Sequence, residues 1–249
     1  MLKQWELIRA RSGVFNLVAG RKVTDSVWRL ACRCEASVAE REHCGAVFWD
    51  LRKCYAHLCH LRLGKLAQEL QFPIVMLRLG LGTYRWARHL RLDGMLAPGL
   101  FPTRGIISGA AGATCELKAY MYKAVSKHIA EHMHVCLSIH VDDISQDAHD
   151  GDQQVLIKDL RNSAKDLEDI FQGELGLPLA ANKMVVVGSP KAVVDEFKAS
   201  AGWLAGRKAF SEKVLGVDFA AGKCCKERDR WFAGTGWLRR RGGARDWPG

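Results

Sequence analysis

The segment His134-Val-Cys-Leu-Ser-Ile-His-Val-Asp-Asp-Ile-Ser-Gln-Asp147 decides how the rest of the chain is read. Val135, Leu137, Ile139 and Val141 recur at every second position, the period of a β-strand with one buried face. The alternation stops at Asp142 and Asp143, where the strand must turn. Two adjacent carboxylates repel each other, and at least one is pushed toward neutrality unless a cation compensates. A strand tip carrying Asp-Asp therefore suits a divalent cation. It also suits a solvated turn, because Asp is a common turn residue, and the segment alone leaves both readings open.

Upstream, Ala46-Val-Phe-Trp-Asp-Leu51 is a short, nearly continuous apolar run, as expected of a strand buried on both faces. Its only charged residue is Asp50. A carboxylate beside a buried strand is costly unless paired or coordinated, so Asp50 needs a partner. Helices are expected at 23–41, with Thr24 and Asp25 as caps, and at 56–71, 110–133, 153–172 and 190–201. On the fourth of these, Val155, Leu156, Leu160, Ala164, Leu167 and Phe171 line one side. Residues 84–97 read as a hairpin turning at Asp93-Gly94. Lys183–Gly188 and Val214–Phe219 read as short strands. The central order is the β-α-β-β-α-β plan of ferredoxin-like domains, an α+β fold. It puts one carboxylate at the end of the first strand and two at the hairpin.

Composition narrows the class. With 48% apolar and 26% charged residues, the 249-residue chain is globular rather than disordered. No apolar run reaches the length of a membrane span, and the charged N-terminus does not read as a secretory signal. The formal net charge of +10 makes a polyanion partner such as nucleic acid a natural expectation. Nine cysteines, an odd count without a signal, suggest a reducing compartment. Cys32, Cys34, His43 and Cys44 do not have a standard zinc spacing. His57, Cys59 and His60 fit helix packing or capping better than a metal site.

Five short segments, in order, resemble the motifs of reverse transcriptases of the non-LTR retrotransposon type. Phe48-Trp-Asp-Leu-Arg-Lys-Cys-Tyr55 is similar to their first catalytic motif, an Asp followed five residues later by an aromatic. Arg104-Gly-Ile-Ile-Ser-Gly109 resembles the Gly-rich template and nucleotide motif. His140-Val-Asp-Asp143 resembles the Tyr-x-Asp-Asp box. Leu177-Pro-Leu-Ala-Ala-Asn-Lys183 and Val214-Leu-Gly-Val217 resemble the two motifs that follow, and Gly20-Arg21 resembles the family's lead-in. The resemblance implies a polymerase palm that copies an RNA template onto a DNA primer from deoxynucleoside triphosphates. Asp50 and Asp142 would bridge two Mg2+ ions (Mn2+ being an alternative), with Asp143 a nearby third carboxylate. Two ions about 4 Å apart activate the attacking oxygen and stabilise the leaving pyrophosphate. Tyr55 would stack under the sugar and exclude a 2′-hydroxyl. Lys183 would meet the triphosphate. Ser108 stands where the family has a nucleotide-contacting Gln, and Gly109 would let the backbone approach nucleotide or template.

The departures are His140 for the box Tyr, Ile107-Ser108 for Pro-Gln, Ala56 for an acidic residue, and the lack of the lysine motif's usual Asn at about Ala180. Residues 1–45 are expected to form partial fingers with a lead-in helix, 46–220 the palm with its hairpin at about 84–97, and 221–249 a basic tail containing Arg239-Arg240-Arg241, with little or no thumb. An inactive retroelement relic that binds nucleic acid or a partner without turnover is the alternative reading. A palm that copies RNA into RNA or DNA into DNA is another. A nuclear location follows only from the family analogy.

Overall fold

A computed structural model describes residues 1–9, 13–16, 18, 22–202, 207–208, 211–214 and 217–220. Gly20, Arg21, Leu215, Gly216 and the tail 221–249 lie outside the described residues. In chain order the elements are α1 (Leu2–Arg9), α2 (Val23–Ala39), β1 (His43–Asp50), α3 (Cys54–His57), α4 (His60–Glu69), α5 (Ile74–Tyr84), β2 (Arg91–Leu92) and β3 (Met95–Leu96). Then come α6 (Ala113–Glu131), β4 (Cys136–His140), β5 (Asp143–Asp150), α7 (Gln153–Glu168), β6 (Val185–Ser189), α8 (Lys191–Ser200), β7 (Arg207–Lys208), β8 (Ser211–Val214) and β9 (Val217–Ala220).

The main sheet has the order β4-β5-β1-β6-β7. Each of its first four strands runs antiparallel to its neighbours among them, and β7 adds in parallel beside β6. The expected β-α-β-β-α-β plan corresponds to β1-α6-β4-β5-α7-β6, and the antiparallel sheet backed by helices is palm-like.

Strand β1 is central, and its alternating side chains feed two different cores. Val47 and Trp49 join the core built with α6, α7 and α8. Cys44, Ala46 and Phe48 join Leu30 and Cys34 of α2, with Val185, Val187 and Phe219. That division explains why the sequence of β1 is a continuous apolar run rather than an alternating one. Gly188 on β6 lets α8 sit close: a Cβ there would lie 3.1 Å from both the Cys44 carbonyl oxygen and Val194 Cγ2. On α6, Leu117, Tyr120, Met121, Ala124 and Val125 are all buried, as their spacing predicts.

Several expectations are corrected. The helix at 56–71 is broken at Leu58 and Cys59 into α3 and α4. Helix α5 was not legible, because its exposed Leu79 and Val75 blur any polar face. The hairpin at 84–97 is reduced to two-residue strands, turning at Asp93 (φ 48°) and Gly94 (φ 82°) as read. Val155 is 41% exposed, and Ile157 takes its place on the buried face of α7. That helix ends at Glu168 and passes into a π-helical turn, Asp169–Glu174. The single strand at 214–219 is a hairpin, β8 against β9, in the register Val214↔Val217. No helix among the described residues is long and apolar enough to cross a membrane.

One buried ion pair ties α2 to the sheet. Arg33 donates from Nε and Nη2 to the two carboxylate oxygens of Asp147, each at 2.7 Å. The Asp147 side chain is only 2% exposed. Burial raises the Asp147 pKa, with Arg33 opposing that shift. The pair is therefore expensive to break and cheap to replace whole. Arg33→Ala is expected to cost about 3–5 kcal/mol in chemical denaturation, whereas the Arg33→Met/Asp147→Leu double variant should cost far less.

Candidate active site

The register of the sheet assembles the site. β1 ends at Asp50, and Asp50 pairs directly across from Asp143 at the start of β5. β4 and β5 are joined by a two-residue turn, Val141-Asp142, closed by the pair His140↔Asp143. Val141 has φ 61°, an unusual conformation for a β-branched residue and one that tends to occur at functional sites. The Leu51 N–H donates to the Asp142 carbonyl at 3.0 Å, fixing the turn against the end of β1. The structure thus brings Asp50, Asp142 and Asp143 to one edge of the sheet.

A third segment closes on the same edge. The Arg52 N–H donates to the Pro178 carbonyl at 2.8 Å, and the Ala180 N–H donates to the Asp50 carbonyl at 2.8 Å. Residues 181–183 then make one 3-10 turn, which puts Lys183 before β6 rather than within it. The Lys183 ammonium forms an ion pair with Asp50 Oδ2, from a side chain 62% exposed against one 20% exposed. Asp50 holds the ammonium above its usual pKa, with smaller contributions from Asp142 and Asp143.

Burial and then like charge set the electrostatics at this edge. The Asp143 carboxyl is pushed up to about 6, first by desolvation and then by Asp142 and Asp50, with Lys183 pulling the other way. The Cys54 thiol is pushed up to about 12 by burial, then by Asp142. Burial lowers the His140 pKa, with Asp142 opposing that shift, and its Nδ1 is buried without a hydrogen-bond partner.

Tyr55 and the Gly-rich segment also meet. After Lys53, in the left-handed region at φ 50°, α3 carries Tyr55, whose hydroxyl is pushed up to about 12 by burial and then by Cys54 and Asp142. The Ile106 N–H donates to the Tyr55 carbonyl at 2.9 Å, and the Gly105 N–H donates to the Leu58 carbonyl at 2.9 Å. Ser108 and Gly109 follow in an exposed turn.

Gly109, expected to let the backbone approach nucleotide or template, has open space beside it: no protein atom lies within 4 Å of a Cβ placed there. The glycine this fold requires is Gly105: it has φ 88°, and a Cβ would lie 3.2 Å from the Ala56 carbonyl oxygen. His60, buried, meets the Gly105 carbonyl through Nε2 at 2.7 Å. Glu116, also missed, is buried and accepts from the Tyr84 hydroxyl at 2.9 Å. Its only sequence signal was a carboxylate on the first turn of α6.

Oxygen-only donors suit hard cations such as Mg2+ or Mn2+, and the three carboxylates exceed the charge of Lys183, so the residues present fit such ions. Among the described residues, however, the His/Cys/Asp/Glu group whose ligand atoms all lie within 4.8 Å of one another is His128, His132 and Asp166, not the three aspartates.

No family model matches the sequence, and no curated protein matches it. Solved structures do. Telomerase from Candida tropicalis in complex with a TWJ fragment of telomeric RNA matches at 11% identity and a TM-score of 0.60, over 88% of this chain and 35% of that one. Apo telomerase from Candida tropicalis, truncated from its C-terminal domain, matches at 12% identity and a TM-score of 0.57, over 88% and 42%. Telomerase from Candida albicans with a TWJ fragment matches at 12% identity and a TM-score of 0.52, over 88% and 36%. The chain thus spans less than half the length of these structures. At such identities the likeness is one of fold, and that fold is reverse-transcriptase-like.

The Asp143 shift has a consequence for stability. A carboxyl whose folded pKa is raised to about 6 stabilises the fold at low pH and loses that contribution as pH rises through 6. Asp143→Asn is therefore expected to exceed the parent chain in stability above pH 6, by about 1 kcal/mol once solvent screening is allowed for. The two should converge near pH 4; urea melts at both pH values check this.

Proposed function

We propose that this chain is the palm of a reverse-transcriptase-like nucleotidyltransferase, which extends a DNA primer on an RNA template from deoxynucleoside triphosphates. The observation that carries the reading is the register Asp50↔Asp143 with Asp142 in the adjoining turn. Asp50, Asp142 and Asp143 would hold Mg2+, or Mn2+ in its place. When bound, such ions supply Lewis-acid activation of a 3′-hydroxyl and neutralise charge on the leaving pyrophosphate.

The remaining roles belong to the chain's own side chains. Lys183 is exposed and charged, so it can exchange Asp50 for a triphosphate oxygen. Tyr55, half-buried beside the Gly-rich segment, offers a ring face to a sugar and a steric limit at its 2′ position. The exposed turn at Ser108 and Gly109 leaves the backbone open to nucleotide or template. The net charge of +10 supports a polyanionic template, as does the RNA fragment in the Candida telomerase structures. The motif order supports a retroelement origin of the non-LTR type, although the solved structures named above are telomerases.

A second reading, an inactive palm that binds nucleic acid without turnover, is favoured by two observations. The Lys183 ammonium already engages Asp50, and the three aspartates are not drawn into a common cluster of ligand atoms. Primer extension on an RNA template with Mg2+ or Mn2+ decides between the two. Polymerase activity predicts extension that falls at least about 1,000-fold in Asp142→Ala. Salt-sensitive RNA binding with no extension would establish the inactive palm instead. In the active case Tyr55→Ala is expected to raise ribonucleotide incorporation, and indifference to that substitution would remove the sugar-gate role.

A further inference from the structure

Away from the three aspartates, the end of α6 and the last turn of α7 carry a second cluster that the polymerase reading does not use. His128 and His132 are four residues apart, and the His132 N–H donates to the His128 carbonyl at 3.0 Å, so both imidazoles share one face of the last turn. Asp166 faces them from α7. His128 Nδ1 lies 2.8 Å and His132 Nε2 lies 3.3 Å from the same oxygen, Asp166 Oδ2. The two rings are 4.6 Å apart between centroids, and the three donor atoms all lie within 4.8 Å of one another.

We infer that His128, His132 and Asp166 form a transition-metal site, suited to Zn2+, that staples α6 to α7. Two imidazoles and a carboxylate are the donors that zinc accepts and magnesium does not favour. With bonds of about 2.0–2.1 Å, a tetrahedral ion needs ligand atoms about 3.3 Å apart, and the Asp166 oxygen stands 2.8 Å and 3.3 Å from the two histidine nitrogens. The other face of His128 is already held. Its Nε2 lies 3.1 Å from Ser163 Oγ, which accepts from Gln146 Nε2 at 2.7 Å. A proton on Nε2 directed at Ser163 leaves the Nδ1 lone pair for the metal, the arrangement by which a neighbouring hydrogen bond orients a ligating histidine. Access is from the surface: His132 is 18% and Asp166 35% exposed, while His128 is 1% exposed. The fourth position is therefore open to water.

The test is calorimetric titration of Zn2+ into the metal-stripped full chain, with the visible absorption of Co2+ as a second readout of tetrahedral coordination. One Zn2+ per chain is expected, retained in Asp142→Ala and lost in both His132→Ala and Asp166→Asn. Both changed residues are partly exposed, and circular dichroism shows whether the variants fold. Ser163→Ala should bind about 10–100-fold more weakly, and saturating Zn2+ should raise Tm by roughly 5 °C in the parent chain. Absence of binding would overturn the inference and leave a plain hydrogen-bonded triad. So would binding unchanged in both folded ligand variants, or binding lost in Asp142→Ala.

Discussion

The pairing of β1 with β5 is the constraint on which the rest of this structure depends. Because strand side chains alternate with a period of two, a slip of one residue would exchange the two faces of the sheet. Val47 and Trp49 would leave the core of α6, α7 and α8 for the side covered by α2, and Cys44, Ala46 and Phe48 would do the reverse. Two specific contacts stand against that slip. The Trp49 indole N–H donates to Gln146 Oε1 at 3.0 Å on one face, and Asp147 meets Arg33 on the other. Neither survives a one-residue shift. With the register fixed in its interior, the strand end follows, and Asp50 faces Asp143 across the edge.

Two carboxylates of β5, Asp143 at its start and Asp147 in its interior, are handled in opposite ways. Asp147 is buried and given a bidentate guanidinium, so its charge is matched where water is absent. Asp143 is exposed, faces Asp50 and Asp142, and has Lys183 as its opposing charge at a distance, through Asp50. Packing alone gives no reason to set Asp142 and Asp50 where both raise the cost of ionising Asp143. Such an arrangement destabilises the apo chain near neutral pH and becomes favourable when a cation joins it.

Much of this was legible in the sequence where a local pattern sufficed. The alternation from Val135 to Val141 marked β4, the continuous apolar run marked β1 as buried on both faces, and the stop at Asp142 marked the turn. The Asp93-Gly94 turn was read from two residues, because its positive φ values need that chemistry. Features that depend on distant segments were not legible. Gly105 matters because its backbone passes Ala56, about fifty residues earlier, a proximity that the segment Arg104–Gly109 does not reveal. The strands β8 and β9 looked like one because the sequence Val214–Phe219 carries no break signal strong enough to divide it. Helix α5 lacked a polar face. His128 and His132 have helical spacing, but Asp166, which gives them a shared target, lies on another helix.

The layer behind the sheet explains why this palm-like fold carries polar groups in its core. Carboxylates that share an ion must hold their geometry to about half an ångström, and apolar packing alone permits helices to slide by more than that. Hydrogen bonds are directional. The run Trp49–Gln146–Ser163–His128 joins β1, β5, α7 and α6 through side chains that are all nearly inaccessible to solvent. Each member is satisfied, so the network fixes position without an uncompensated desolvation cost. It begins at the residue next to Asp50 and ends at the histidine whose far nitrogen meets Asp166. The strand that positions the candidate active site is therefore held from its helical side by oriented bonds, and α6 and α7 cannot shift relative to β1 without breaking one of them.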